Sequence, residues 1–142
     1  MGVMRLENAD ALAGFDAQGA AAFEPVALEG RVESGPHVIG GLVFVAAEPD
    51  GLVCAESSGK IRWRQPLEDG PLAGPPLATT SGDVIVLSQS GTISRLDPTT
   101  GKTIARQVIG EPLGGAACIL GEQVFAAGSD GTVHRFPVPA RP

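Results

Sequence analysis

No apolar run in this chain of 142 residues approaches bilayer-spanning length, and Met1 to Asp10 lacks the charged start and apolar core of a signal peptide. As written, the chain is expected in the cytoplasm; a longer natural gene carrying a signal would place it in the periplasm or another extracytoplasmic space. Cysteine is scarce. Cys54 and Cys118 lie too far apart to form a metal knuckle, and their strand contexts predict buried free thiols. The 10 basic residues are scattered among 16 acidic ones, so no basic stripe exists to follow a phosphate backbone, and nucleic acid is excluded as a partner.

Catalytic signatures are missing as well. There is no Gly-x-Ser-x-Gly elbow, and the segment Gly110-Glu111-Pro112-Leu113-Gly114-Gly115 has neither a following helix nor the Lys-Ser/Thr of a phosphate loop. It reads as a connection between repeat units. No segment carries a sustained i, i+3, i+4 apolar stripe; Ala9 to Ala13 and Gly19 to Phe23 come nearest and are interrupted by Gly14 and Gly19. Strand and turn, with negligible helix, are therefore expected.

A repeat is what the chain does have. Asp50-Gly51, Ser90-Gly91 and Asp130-Gly131 follow apolar runs at steps of 40 residues. Gly35-Pro36, Gly74-Pro75 and Gly114-Gly115 open the units, and Gly19, Gly59 and Gly101 close hairpins. A period of this size is the mark of stacked supersecondary units. The runs Leu42 to Ala47, Val84 to Leu87 and Val124 to Ala127 are apolar on both faces, as expected of strands sandwiched between neighbours. Leu52-Val53-Cys54, Thr92-Ile93-Ser94 and Thr132-Val133-His134 overlay as third strands, which aligns His134 with Cys54 and Ser94. One unit thus reads as four short antiparallel strands.

Asp97-Pro98-Thr99-Thr100-Gly101-Lys102 and Gly59-Lys60-Ile61-Arg62-Trp63 resemble the Ala-x-Asp-x-x-x-Gly-x-x-x-Trp signature of the quinoprotein-type repeat. That family is found in quinoprotein alcohol dehydrogenases and in bacterial outer-membrane assembly propellers, and the resemblance covers about residues 10 to 138. It implies an all-β fold of β-propeller blades, with the tryptophan packing one blade on the next. Phe23, Trp63 and Ala105 stand at that position in successive units, and Asp97 alone fills the Asp position. The blade-packing residues implied are Trp63, Phe23, Asp97, Gly59 and Gly101.

The units divide the chain into the end of a preceding blade at 6–28, blades at 34–69 and 73–111, and an incomplete final blade at 113–138. Residues 1–142 form one partial propeller domain of about three blades, fewer than the four to eight that close a ring. Three origins fit: a piece of a longer propeller, one half of a self-associated ring, or a part that docks on separate blades. Each calls for a protein partner or a second copy, since open blade faces are apolar.

The titratable residues form no constellation. His37, at the entrance to an innermost strand, is a candidate for the rim of a central channel. Its repeat equivalents are Pro76 and Ala116, and no second His or carboxylate is spaced to pair with it. Glu48, Asp50, Asp97 and Asp130 fall one per turn, whereas calcium needs several converging oxygens; turn chemistry accounts for them. No catalytic, metal or cofactor-binding residue follows, and no cofactor is expected. The reading that emerges is a non-catalytic interaction or scaffold module of a larger bacterial protein. The alternative is a fragment of a dehydrogenase propeller that holds pyrroloquinoline quinone and calcium. In active members of the family, adjacent cysteines ring the cofactor and Glu, Asn and Asp bind the calcium. This chain has no Cys-Cys pair, and its single asparagine, Asn8, lies near the start.

Overall fold

The computed structural model describes residues 2–5, 10–49 and 51–142. Asn8 and the Asp50 half of the first Asp-Gly turn lie outside them. Among the described residues there is no helix, and fourteen strands form four antiparallel sheets. The first sheet holds β1 (Gly2–Arg5), β2 (Asp10–Ala13) and β3 (Val26–Ala27). The second holds β4 (Arg31–Ile39), β5 (Leu42–Glu48), β6 (Gly51–Glu56) and β7 (Ile61–Gln65). The third holds β8 (Leu77–Ala78), β9 (Val84–Leu87), β10 (Thr92–Leu96) and β11 (Thr103–Val108). The fourth holds β12 (Leu113–Leu120), β13 (Gln123–Gly128) and β14 (Val133–Pro137). Strands neighbouring in sequence neighbour in each sheet, the meander of a propeller blade. Of the first sheet's strands, β2 and β3 fall within residues 6–28, and β1 precedes them.

The chain divides into two compact units, Met1–Pro66 and Leu67–Pro142. Each has a core between its own two sheets. In the first, Leu12 and Leu28 meet Val43, Val45, Val53 and Ala55. In the second, Ile85, Leu87 and Ile93 meet Leu113, Val124 and Ala126. Period-2 alternation sends these residues to one face of their strands. The apolar run in β5 is buried from Val43 to Ala47, and β9 is buried throughout, as two-sided runs should be. The run in β13 behaves differently: Val124 and Ala126 are buried while Phe125 and Ala127 are half-buried on the opposite face.

The unit-opening glycines do not precede the first strands in two of three cases. Gly35 lies inside β4, at register shifts between Val32 and Ser34 and between Ser34 and His37. Its φ is +112°, and a Cβ there would stand 2.8 Å from the Phe44 carbonyl oxygen, so the strand bends at a residue only glycine tolerates. Gly114 and Gly115 likewise sit inside β12, at the irregularity between Leu113 and Ala117. The segment read as a connection between units is therefore already strand from Leu113 onward.

Candidate functional site

One glycine hairpin is built alike in each of the first three sheets. Gly19, Gly59 and Gly101 donate their N–H groups to the carbonyls of Asp16, Glu56 and Asp97 at 3.0, 2.9 and 2.7 Å. All three glycines have positive φ, between +75° and +88°. Asp97 fixes its turn by accepting the Thr99 N–H at 2.7 Å. Asp16, which the sequence reading passed over, does the same in the first sheet, accepting from the N–H groups of Gln18 and Ala20, both at 2.9 Å. The Asp position is thus filled twice. The first turn is one residue shorter than the third, so a fixed Asp-to-Gly spacing finds only Asp97.

Phe23 follows the first of these turns. Its half-buried ring occupies the space over two glycines, Gly14 in its own sheet and Gly59 in the neighbouring one. A Cβ on Gly59 would stand 2.5 Å from that ring. Trp63 is 8% exposed, faces Cys54 across the β6–β7 ladder, and meets Phe44 edge-to-face with ring centroids 5.9 Å apart. Buried Cys54, in the middle of this row, has its thiol pushed up to about 11 by desolvation. Cys118 departs from expectation: it is exposed, because it points to the uncovered face of β12.

The third strands do not overlay at steps of 40. Phe44 pairs with Cys54, Ile85 with Arg95, and Phe125 with Arg135. Arg95 and Arg135, rather than Ser94 and His134, therefore match Cys54. A slip of one residue moves each side chain to the other face of the sheet. The same register sets Leu77 and Cys118, not Pro76 and Ala116, opposite Ile85 and Phe125, as His37 stands opposite Phe44. His37 is half-buried in β4, with Nε2 2.9 Å from Ser34 Oγ. His134 stacks on Phe136 and sits 2.9 Å from Thr132 Oγ1, which in turn donates to Asp130 Oδ1 at 2.6 Å. The Thr132 hydrogen bonds hold the Asp130 carboxyl below its ordinary range.

In this register the third sheet carries a polar tie. The row Phe44–Cys54–Trp63 of the second sheet corresponds to Ile85–Arg95–Ala105 in the third. Where the indole is absent, a long cation stands on the adjacent strand. Arg95 donates through Nε to Asp83 Oδ2 at 2.8 Å, through Nη1 to the Pro139 carbonyl at 2.8 Å and through Nη2 to Ser81 Oγ at 2.9 Å. Arg141 grips the same carboxylate twice, Nε to Oδ2 at 2.8 Å and Nη2 to Oδ1 at 2.7 Å. The side chain of Asp83 is 3% exposed. The Arg141 hydrogen bonds, joined by those from Arg95, hold its carboxyl down at about 2 against the opposing effect of burial. A second buried carboxylate, Asp10, accepts from Arg31 Nη1 at 2.9 Å and the Val32 N–H at 2.8 Å. The sequence reading missed both ties, since their partners are 12 to 58 residues apart and no spacing marks them.

Among the described residues, no group of three or more His, Cys, Asp or Glu converges to hold a metal ion. No described helix is long and apolar enough to cross a membrane. Meandering blades of three or four antiparallel strands, packed face to face over apolar cores and carrying the same glycine hairpin in the first three sheets, define a β-propeller module. The family model described as outer membrane protein assembly factor BamB matches residues 9–80, half of the chain, and the chain belongs to that family.

Solved structures agree on the fold. The crystal structure of BamB from Moraxella catarrhalis superposes with a TM-score of 0.73 at 20% identity, covering 97% of this chain and 45% of that one. The computationally designed Ika8 protein gives 0.67 at 14% identity, with 96% and 45% covered. A europium-containing methanol dehydrogenase gives 0.55 at 20% identity, with 82% and 23% covered. The chain thus spans less than half the length of these structures. No curated protein matches its sequence.

Proposed function

We propose that this chain is a non-catalytic, partial propeller module that works by binding protein, either a second copy of itself or a separate set of blades. One observation carries the reading. The fourth sheet packs one face on the third, and its other face turns Cys118, Leu120, Phe125 and Val133 outward, with Leu120 66% and Val133 74% exposed. An apolar blade face of this kind favours a protein cover. The two deeply buried carboxylates, Asp10 and Asp83, are engaged by arginines in structural ties rather than held ready for proton transfer. In this reading Phe23, Trp63, Gly59, Gly101 and Asp97 serve blade packing and hairpin closure, and His37 lies at the channel rim.

The family's description names outer membrane assembly, which favours the extracytoplasmic of the two compartments considered from the sequence. The methanol dehydrogenase likeness supports the alternative, a fragment of a quinone-dependent dehydrogenase propeller, to a lesser degree. The deciding experiment is the molar mass in solution at tens of micromolar, with and without Leu120→Glu and Val133→Lys. Association that the double variant abolishes is expected. A monomer that neither variant alters, and that captures no partner through this face, would overturn the reading.

A further inference from the structure

The strap formed by Val138 to Arg141 lies in a groove of the second unit in the manner of a bound peptide. Its first residue continues directly from β14: the Val138 N–H donates to the Glu122 carbonyl at 2.9 Å, one step beyond the pairing of Gln123 with Pro137. Pro139 is buried, and its carbonyl accepts from Arg95 Nη1. Two residues on, Arg141 reaches a carboxylate that is itself almost wholly buried, engaging both oxygens. A cavity of about 170 Å³ stays open beside the strap, lined by Thr79, Ser81, Arg95, Glu122 and Val138 among others. A fixed donor on a backbone carbonyl, a proline seat and one charge-specific pocket are elements by which proteins recognise extended peptides.

We propose that this groove is a recognition site for an extended Pro-x-Arg peptide segment of a partner protein, and that the chain's own strap is its resident occupant. The specificity is set by chemistry already in place. Asp83 selects arginine through a planar, two-pronged fit that lysine does not reproduce. Arg95 selects no side chain, because it reads a backbone carbonyl. The strap competes from within the same molecule at an effective concentration in about the millimolar range, so the intact chain is self-blocked. The inference does not depend on the apolar face of the fourth sheet, and either can fail without the other.

Fluorescence anisotropy with a labelled peptide of sequence Phe-Pro-Val-Pro-Ala-Arg-Pro tests it on the whole 142-residue chain. Arg141→Ala loosens the strap and should raise affinity for the added peptide at least about tenfold over the unaltered chain. Replacing the peptide's arginine by citrulline, which keeps the shape and removes the charge, should abolish the gain. Asp83→Asn added to Arg141→Ala should do the same while the circular dichroism of the chain is retained. Equal affinity of Arg141→Ala and the unaltered chain would overturn the proposal, as would binding indifferent to the peptide's arginine.

Discussion

Phe23 and Gly59 meet across two sheets at a distance that leaves no room for a methyl group, since a Cβ on Gly59 would stand 2.5 Å from the ring. Gly59 also holds a φ of +88°, a conformation L side chains rarely adopt. The two constraints add. Gly59→Ala should cost about 2 to 3 kcal/mol in denaturant unfolding, from overpacking against a rigid ring plus backbone strain. Phe23→Ala should cost about 2 kcal/mol, less than a full core truncation because the ring is half-buried. In the double variant part of the Gly59→Ala penalty should vanish, and additive losses would show that the ring does not set it.

Trp63 is the single tryptophan and therefore a clean reporter. Buried against Phe44, it should emit at short wavelength in the native state and shift to the red on unfolding. Trp63→Ala should destabilise by about 3 to 5 kcal/mol, the range for large core truncations. A water-like emission maximum in the native chain would contradict this packing.

Asp83 should give the second unit an acid-sensitive stability. Its folded pKa of about 2 lies below the ordinary 3.8, so the stabilisation is complete above about pH 4. It is lost as pH falls toward 2, where the folded-state carboxylate takes up its proton. Asp83→Ala should flatten this part of the stability-versus-pH curve. At neutral pH it should cost about 3 kcal/mol, because Arg95 is left buried without its anion. Arg141→Ala should cost less, since that side chain is largely exposed.

Added pyrroloquinoline quinone with calcium should neither raise the melting temperature nor produce dye-linked alcohol oxidation. Ligand stabilisation follows occupancy, and a hard cation needs several converging oxygens. Saturable micromolar binding that depends on a named carboxylate would reverse the order of the two functional readings.

Much of the architecture is written in the sequence because a repeat states its own geometry. The glycine hairpins at 19, 59 and 101 require positive φ, and apolar runs of four to six residues between them fit strands rather than helices. Strand identity, hairpin position and the blade-like unit follow from those local demands. Tertiary structure alone decided register and coverage. A bend at Gly35 and a one-residue slip in the third strands determine which face a side chain occupies, and period 2 makes that choice all or nothing. Hence Ser94 was aligned where Arg95 stands, and the Asp83–Arg95–Arg141 tie stayed hidden. Coverage is equally non-local: β5 and β13 carry similar runs, yet β5 is buried on both faces and β13 on one. What lies against a strand is a property of the packed chain, which no local pattern encodes.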